Sequence, residues 1–233
     1  MAVIRTVPGL AEQVYQAVLD EICDGVLPPG TALVQEPLAE RFGVSRQPVQ
    51  QALLLLKADG LLEEVGRRGL HVAALDLTLM RHHYEIRGAL DELAAGSAAR
   101  RAKADSRVAQ EARSRGAALV EAGERAVTTG ATREQIRADE AFHNFLYELS
   151  GNPLLARTVE VHWRFLRRVM GDVLRHAESP RSIWQQHAQI LDAVAAGDPS
   201  QAQRHAREHL HVAADRLATA LSSSPSAVPG AAG

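Results

Sequence analysis

Residues 35–60 read Gln35-Glu36-Pro37-Leu38-Ala39-Glu40-Arg41-Phe42-Gly43-Val44-Ser45-Arg46-Gln47-Pro48-Val49-Gln50-Gln51-Ala52-Leu53-Leu54-Leu55-Leu56-Lys57-Ala58-Asp59-Gly60. Gly43 stands in the place of a helix C′ glycine and predicts a short helix over about 37–42. Ser45 is placed to cap a second helix over about 46–59, with Val49, Ala52, Leu53 and Leu56 on its buried face. Upstream, Leu10, Val14, Val18 and Ile22 recur every four residues beside Ala11, Tyr15, Leu19 and Cys23, one broad apolar stripe. Asp24-Gly25 and Pro28-Pro29-Gly30 break that helix. Downstream, Leu61–Val65 and Leu70–Ala74 flank the turn Gly66-Arg67-Arg68-Gly69 and read as a small β-hairpin. Helix, helix, tight turn, helix and hairpin form the layout of a winged helix-turn-helix over 1–75, a spacing that other small three-helix domains share.

The chain's composition bounds the rest. Its 233 residues, 46% hydrophobic and 23% charged, suffice for one or two domains with a real core. Forty alanines lean it towards helix, and 4% aromatic residues disfavour a large β-sandwich. No apolar run reaches membrane-spanning length, and no long apolar segment marks a signal peptide. A lone Cys23 excludes an internal disulfide and fits the reducing cytoplasm.

A net charge of −2 gives no global hint of nucleic acid. Its distribution does. Between Arg41 and Ala58 stand three basic residues and no acidic one, and Arg67-Arg68 occupy the hairpin tip. A solvated helix face is the plain alternative for such a run.

From Leu79 to about Leu221 the pattern is helical throughout. The predicted helices cover about 78–103, 106–128, 132–150, 153 onward, 181–196 and 199–221, with starts at Asn152-Pro153 and Asp198-Pro199. Tyr84, Leu90 and Leu93 mark the first of these. Small residues and prolines in 222–233 predict a disordered tail. Asp139 and His143 sit four apart on a stripe with Ile136 and Leu146, so both project from an inward face. His187 lies mid-stripe on another helix and His209 on the last. One carboxylate and three neutral imidazoles suit a divalent transition metal. A buried Asp–His pair with hydrogen-bonded core histidines accounts for the same pattern, and His162, His205 and His211 compete as ligands.

The segments Val26–Leu33, Leu38–Val49 and Leu53–Leu62 resemble the GntR family of bacterial transcription regulators in one ungapped register. The resemblance implies that the helix after Ser45 enters the DNA major groove. Arg46 would then be the main base reader, beside Ser45, Gln47 and Gln50, with Arg41, Arg67 and Arg68 facing phosphate. The planar fork of an arginine can bond guanine O6 and N7 together. Two departures stand out: Gln50 replaces a usual arginine, and Glu36 occupies a place where some relatives are basic.

Residues 78–218 resemble the helical FCD domain of FadR-type GntR regulators, through Asp139-x-x-x-His143, Ser150-Gly151-Asn152, Trp184–His187 and Arg207–Leu210. In metal-binding members those positions imply Asp139, His143, His187 and His209 as ligands, the register selecting His209 over its neighbours. Zinc is the foremost ion, with nickel, manganese or iron sharing its donors. Arg87 resembles an arginine near the effector pocket, where it could fork onto a carboxylate. Its plain alternative is a surface salt bridge to Asp91, four residues on. Asn144, His162 and Trp163 are further pocket candidates.

The expectation is therefore a mostly α protein: an N-terminal winged helix-turn-helix (1–75) and a C-terminal all-α antiparallel bundle (76–221). It is expected to be a cytoplasmic homodimer, binding a palindromic double-stranded DNA operator and releasing it when a small organic acid enters a metal-containing pocket. One rival is a metal-free regulator with a structural His cluster. The other is a metal-dependent hydrolase, against which stands the lack of a spare general base.

Overall fold

Gly43 adopts φ 64° and ψ 34°, the left-handed conformation that closes a helix at glycine without side-chain strain. It separates α2 (Gln35–Phe42) from α3 (Arg46–Ala58), and both pack on α1 (Leu10–Cys23) or its neighbours through one core. Val14, Tyr15, Val18, Leu19 and Ile22 of α1 meet Val49, Ala52, Leu53 and Leu56 of α3, all buried. The Tyr15 hydroxyl donates to Asp59 Oδ2 at 2.6 Å and satisfies its buried polar end. The computed structural model describes residues 9–66, 69–176 and 182–222.

Two local expectations are corrected in this unit. Ser45 occupies the N-cap position of α3 with extended backbone, but its hydroxyl makes no capping bond. The wing has three strands among the described residues, not two. β1 (Ala32–Leu33) adds to the hairpin of β2 (Leu62–Val65) and β3 (Gly69–Val72) in the order β1-β3-β2, all antiparallel. A two-residue strand is too short to show alternation, so only the pairing Ala32↔His71 and Leu33↔Leu70 defines it. Arg67, Arg68 and the tail from 223 lie outside the described residues.

The chain divides after Leu75. The second unit contains six helices: α4 (Leu77–Ala104), α5 (Ser106–Thr129), α6 (Thr132–Ser150), α7 (Pro153–His176), α8 (Ser182–Ala195) and α9 (Pro199–Ser222). Side chains cap the starts of α4, α5 and α9: Asp76 Oδ1 accepts from Thr78 N at 2.7 Å, Asp105 from Arg107 N, and Asp198 from Gln201 N. α4 contacts all five other helices. Ala94, Ala95, Ala98, Ala99 and Ala102 are buried along it, and such small side chains let several helices approach one axis. Of the residues that marked this helix in the sequence, Tyr84 is buried and Leu93 is 45% exposed. At the α5–α8 contact a Cβ on Gly123 would lie 2.0 Å from the Trp184 ring, so only glycine admits the indole there. That contact holds Trp184 against the site described next.

Candidate metal centre and DNA-reading surface

Three helices bring four donors to one buried point. α6 supplies Asp139 and His143 from successive turns, α8 supplies His187 and α9 supplies His209. One ligand atom from each lies within 4.8 Å of all the others. His187 Nε2 is 3.0 Å from His209 Nε2 and 3.5 Å from Asp139 Oδ1, while His143 Nε2 is 3.8 Å from Asp139 Oδ1. All four residues are buried. Burial pushes the His187 and His209 imidazoles well below their ordinary range, and the neighbouring His143 and Arg87 add to the effect. They are therefore neutral at pH 7, the protonation state in which imidazole ligates a metal. His143 Nε2 has no hydrogen-bond partner although it is buried. An orphaned lone pair converging with three other donors fits a cation better than a self-contained core cluster.

A second ring of groups orients the first. His143 Nδ1 faces Asp91 Oδ2 at 3.0 Å, an ion-pair contact whose angles fall short of a hydrogen bond. His209 Nδ1 faces Gln186 Oε1 at 3.1 Å. Both rings thus turn Nε2 towards the cluster. Tyr147 donates its hydroxyl to Asp91 Oδ1, and Phe142 stacks on His187 with centroids 3.9 Å apart. Burial raises the Asp91 carboxyl, but His143 and Arg87 beside it more than offset this and hold it below the usual range.

Arg87 is 1% exposed, which overturns the surface salt bridge as its alternative reading. The pair with Asp91 exists, at 3.5 Å from Nε, but in the interior, and Nη2 lies 3.7 Å from Asp139 Oδ2. Its Cζ sits 3.9 Å from the Trp163 ring centroid. Burial opposes its charge, whereas Asp91 and Asp139 favour it, so the guanidinium stays protonated. Nε and Nη2 nonetheless make no hydrogen bond. A cavity of about 380 Å³ opens beside the cluster, lined by Arg87, Asp139, His209, Tyr84 and Trp184 among others. Asn144, half-buried next to His143, is not among the residues that line it.

A metal-competent donor set thus stands beside a guanidinium edge that makes no hydrogen bond. Asp91 escaped the sequence reading because its partners lie on other helices. The one available signal was its i,i+4 spacing from Arg87. Gln186 lies inside a quoted motif but showed no role.

On α3, Ser45, Arg46, Gln47 and Gln50 are exposed along one row while Pro48 and Val49 turn inward. The three cations of the basic stretch are not free. Arg41 pairs with Glu21 at 2.7 Å, Lys57 with Glu64 at 2.6 Å, and Arg46 with Glu36. The carboxylates that offset this basic stretch come from outside it in sequence and are in direct contact with it.

Residues 82–212 match the FCD domain and residues 10–72 match the bacterial regulatory proteins of the gntR family. The chain belongs to the GntR family. It is 33% identical to an HTH-type transcriptional regulator in an unstable DNA locus of Streptomyces ambofaciens, over 85% of this chain and 81% of the relative. It is also 33% identical to the “Probable D-xylose utilization operon transcriptional repressor” of Paenarthrobacter nicotinovorans, covering 91% and 90% of the two chains. The solved structure of McbR/YncC from Escherichia coli shares the fold, with TM-score 0.74 and 21% identity over 91% of this chain and 99% of that one. As a GntR-family member with an FCD domain, the protein is a DNA-binding transcriptional regulator and not an enzyme. Among the described residues no helix is long and apolar enough to cross a membrane.

Proposed function

We propose that this GntR-family protein is a cytoplasmic repressor whose operator affinity is set by a small organic carboxylic acid bound at a metal in the FCD domain. The observation that carries this reading is the convergence of four buried donors, two of which, Asp139 and His209, line the same cavity as Arg87, whose Nη2 makes no hydrogen bond. Asp139, His143, His187 and His209 would hold the ion, zinc foremost and nickel, manganese or iron as alternatives. When bound, the ion supplies a Lewis-acid anchor for a carboxylate oxygen. Arg87 orients the same carboxylate through donors that make no hydrogen bond, and Trp163 backs the guanidinium.

At the other unit, Arg46 is the base reader with Ser45, Gln47 and Gln50. Arg41, Arg67 and Arg68 position the domain on phosphate. A homodimer matches a two-fold operator. The repressor sign is supported by the name of the Paenarthrobacter relative. Energetically, the acid must bind one dimer geometry better than the other; equal affinity shifts nothing.

Elemental analysis of chelator-free wild type and of Asp139→Asn and His209→Asn tests the centre. One equivalent of a transition metal in wild type and loss in both variants is expected. A metal-free wild type that still releases DNA with an acid would leave the regulator without its metal and overturn the centre.

A further inference from the structure

The cavity has two chemically different ends. Arg87, Asp139 and His209 form its polar end and are buried there; Tyr84 and Gln135, about one helical turn away, are further buried polar lining residues. Along α9 the lining continues from His209 to Ala220, about 16 Å at the helical rise. The wall beyond the polar end is Met170, Val173, Leu174, Ile183, Trp184 and Leu217. Apart from the indole N–H and the weakly accepting thioether of Met170, those side chains offer no hydrogen-bonding atom. Arg216 also lines the cavity, but it is exposed, and both its Nη atoms donate to Ser182 Oγ at 3.2 Å.

We infer that the effector is an amphipathic monocarboxylic acid, with its carboxylate at the Arg87 end and an aliphatic or aryl body along the Met170–Leu217 wall. This rests on the reading that the cluster and Arg87 hold a carboxylate. A polyhydroxylated acid of similar length would press its hydroxyls against Val173, Leu174, Ile183 and Leu217. Those hydroxyls would lose hydration and gain no partner. A methylene in the same place gains, by roughly three- to four-fold in affinity for each one fully buried. The wall therefore selects chain length and rejects sugar acids, while the polar end selects the carboxylate. Neither end alone is selective, since an apolar wall tolerates many bodies and a metal tolerates many acids.

The chain has two tryptophans, and both report on the site: Trp163 lies under Arg87 and Trp184 lines the wall. Full-length protein, with and without one equivalent of zinc, is titrated with acetate, butyrate, hexanoate, octanoate, gluconate and 1-octanol. Tryptophan fluorescence and melting temperature are read in each titration. Affinity is expected to climb steeply from acetate to octanoate, with no saturable response to gluconate or 1-octanol. Val173→Thr and Ile183→Thr, both at half-buried positions, should weaken octanoate several-fold and leave acetate unchanged. A flat series, or gluconate as the tightest ligand, in protein that binds zinc overturns the amphipathic effector and leaves the metal–carboxylate reading standing. Octanoate binding that the threonine variants do not alter overturns the placement of the chain on this wall. Absence of both zinc uptake and any acid response overturns the two readings together.

Discussion

Arg46 is the residue proposed to read bases, and in the free protein its guanidinium is held by Glu36. Both side chains are largely exposed, so their attraction is worth about 0–1 kcal/mol. DNA must displace that carboxylate before Arg46 can fork onto guanine. Replacing Glu36 with glutamine removes the competitor while keeping the shape. Operator affinity should then rise by up to about five-fold per half-site, the equivalent of about 1 kcal/mol. Because Arg46 is proposed to contact a base and not a phosphate, the salt dependence should change little. Glu21→Gln provides the contrast, since it frees Arg41, assigned to phosphate. Each newly neutralised phosphate steepens the slope of log affinity against log salt by about 0.9. Glu21→Gln should therefore raise specific and non-specific binding together, Glu36→Gln only the specific. Fluorescence anisotropy across a salt series, on an operator selected from a random duplex pool and on a scrambled control, measures both. If Glu36→Gln weakens operator binding, the carboxylate is itself part of the reading surface. If it changes neither quantity, Glu36 does not compete with DNA for Arg46. Either result refutes the reasoning.

Three further outcomes follow from the helical unit. Asp91→Asn leaves the fold's volume unchanged but removes the negative partner of His143, and should weaken metal binding about 10–100-fold in a competition titration with a chromophoric chelator. In metal-free protein, His187 and His209 have folded pKa values depressed below the unfolded value near 6.5, so the unfolded chain takes up more protons below that pH. Stability should be complete above about pH 6.5 and fall as pH drops through and below it, by at most about 1.4 kcal/mol per pH unit for each imidazole; urea melts between pH 7.5 and 5 that show no loss would contradict the neutral cluster. Gly123→Ala drives a methyl into the Trp184 ring and should cost about 1–3 kcal/mol, with the Trp184 fluorescence altered even where the protein still folds.

Much of the architecture was legible in local signals. Gly43 and Gly60 punctuate the DNA-binding unit, and Asn152-Pro153 and Asp198-Pro199 open helices where they stand, because backbone restrictions act within a few residues. The inward placement of Asp139 and His143 came from one helix's periodicity. His187 and His209 stood out on their own helices' stripes, but the family register was needed to select His209 over His205 and His211, since no spacing rule links residues on separate helices. The sequence misled where a short-range rule met a long-range partner. Arg87 and Asp91 at i,i+4 suggested a surface pair, but Trp163, Tyr147 and His143 close over them from other helices. The basic run at 41–58 suggested free cations, but Glu21, Glu36 and Glu64 reach it from α1, α2 and β2. β1 was invisible because two residues carry no period.

By itself, then, the amino-acid sequence determined the helices, the helix-turn-helix layout and the chemical character of the four donors. These follow from backbone geometry and side-chain type, which act along the chain. Tertiary packing decided that the donors meet, that Asp91 and Gln186 aim the rings of His143 and His209, and that Arg87 keeps unsatisfied donors on a largely apolar cavity. It also decided that Arg46 starts out paired with Glu36. Pairings between residues tens of positions apart depend on how helices pack, and no local pattern carries that information.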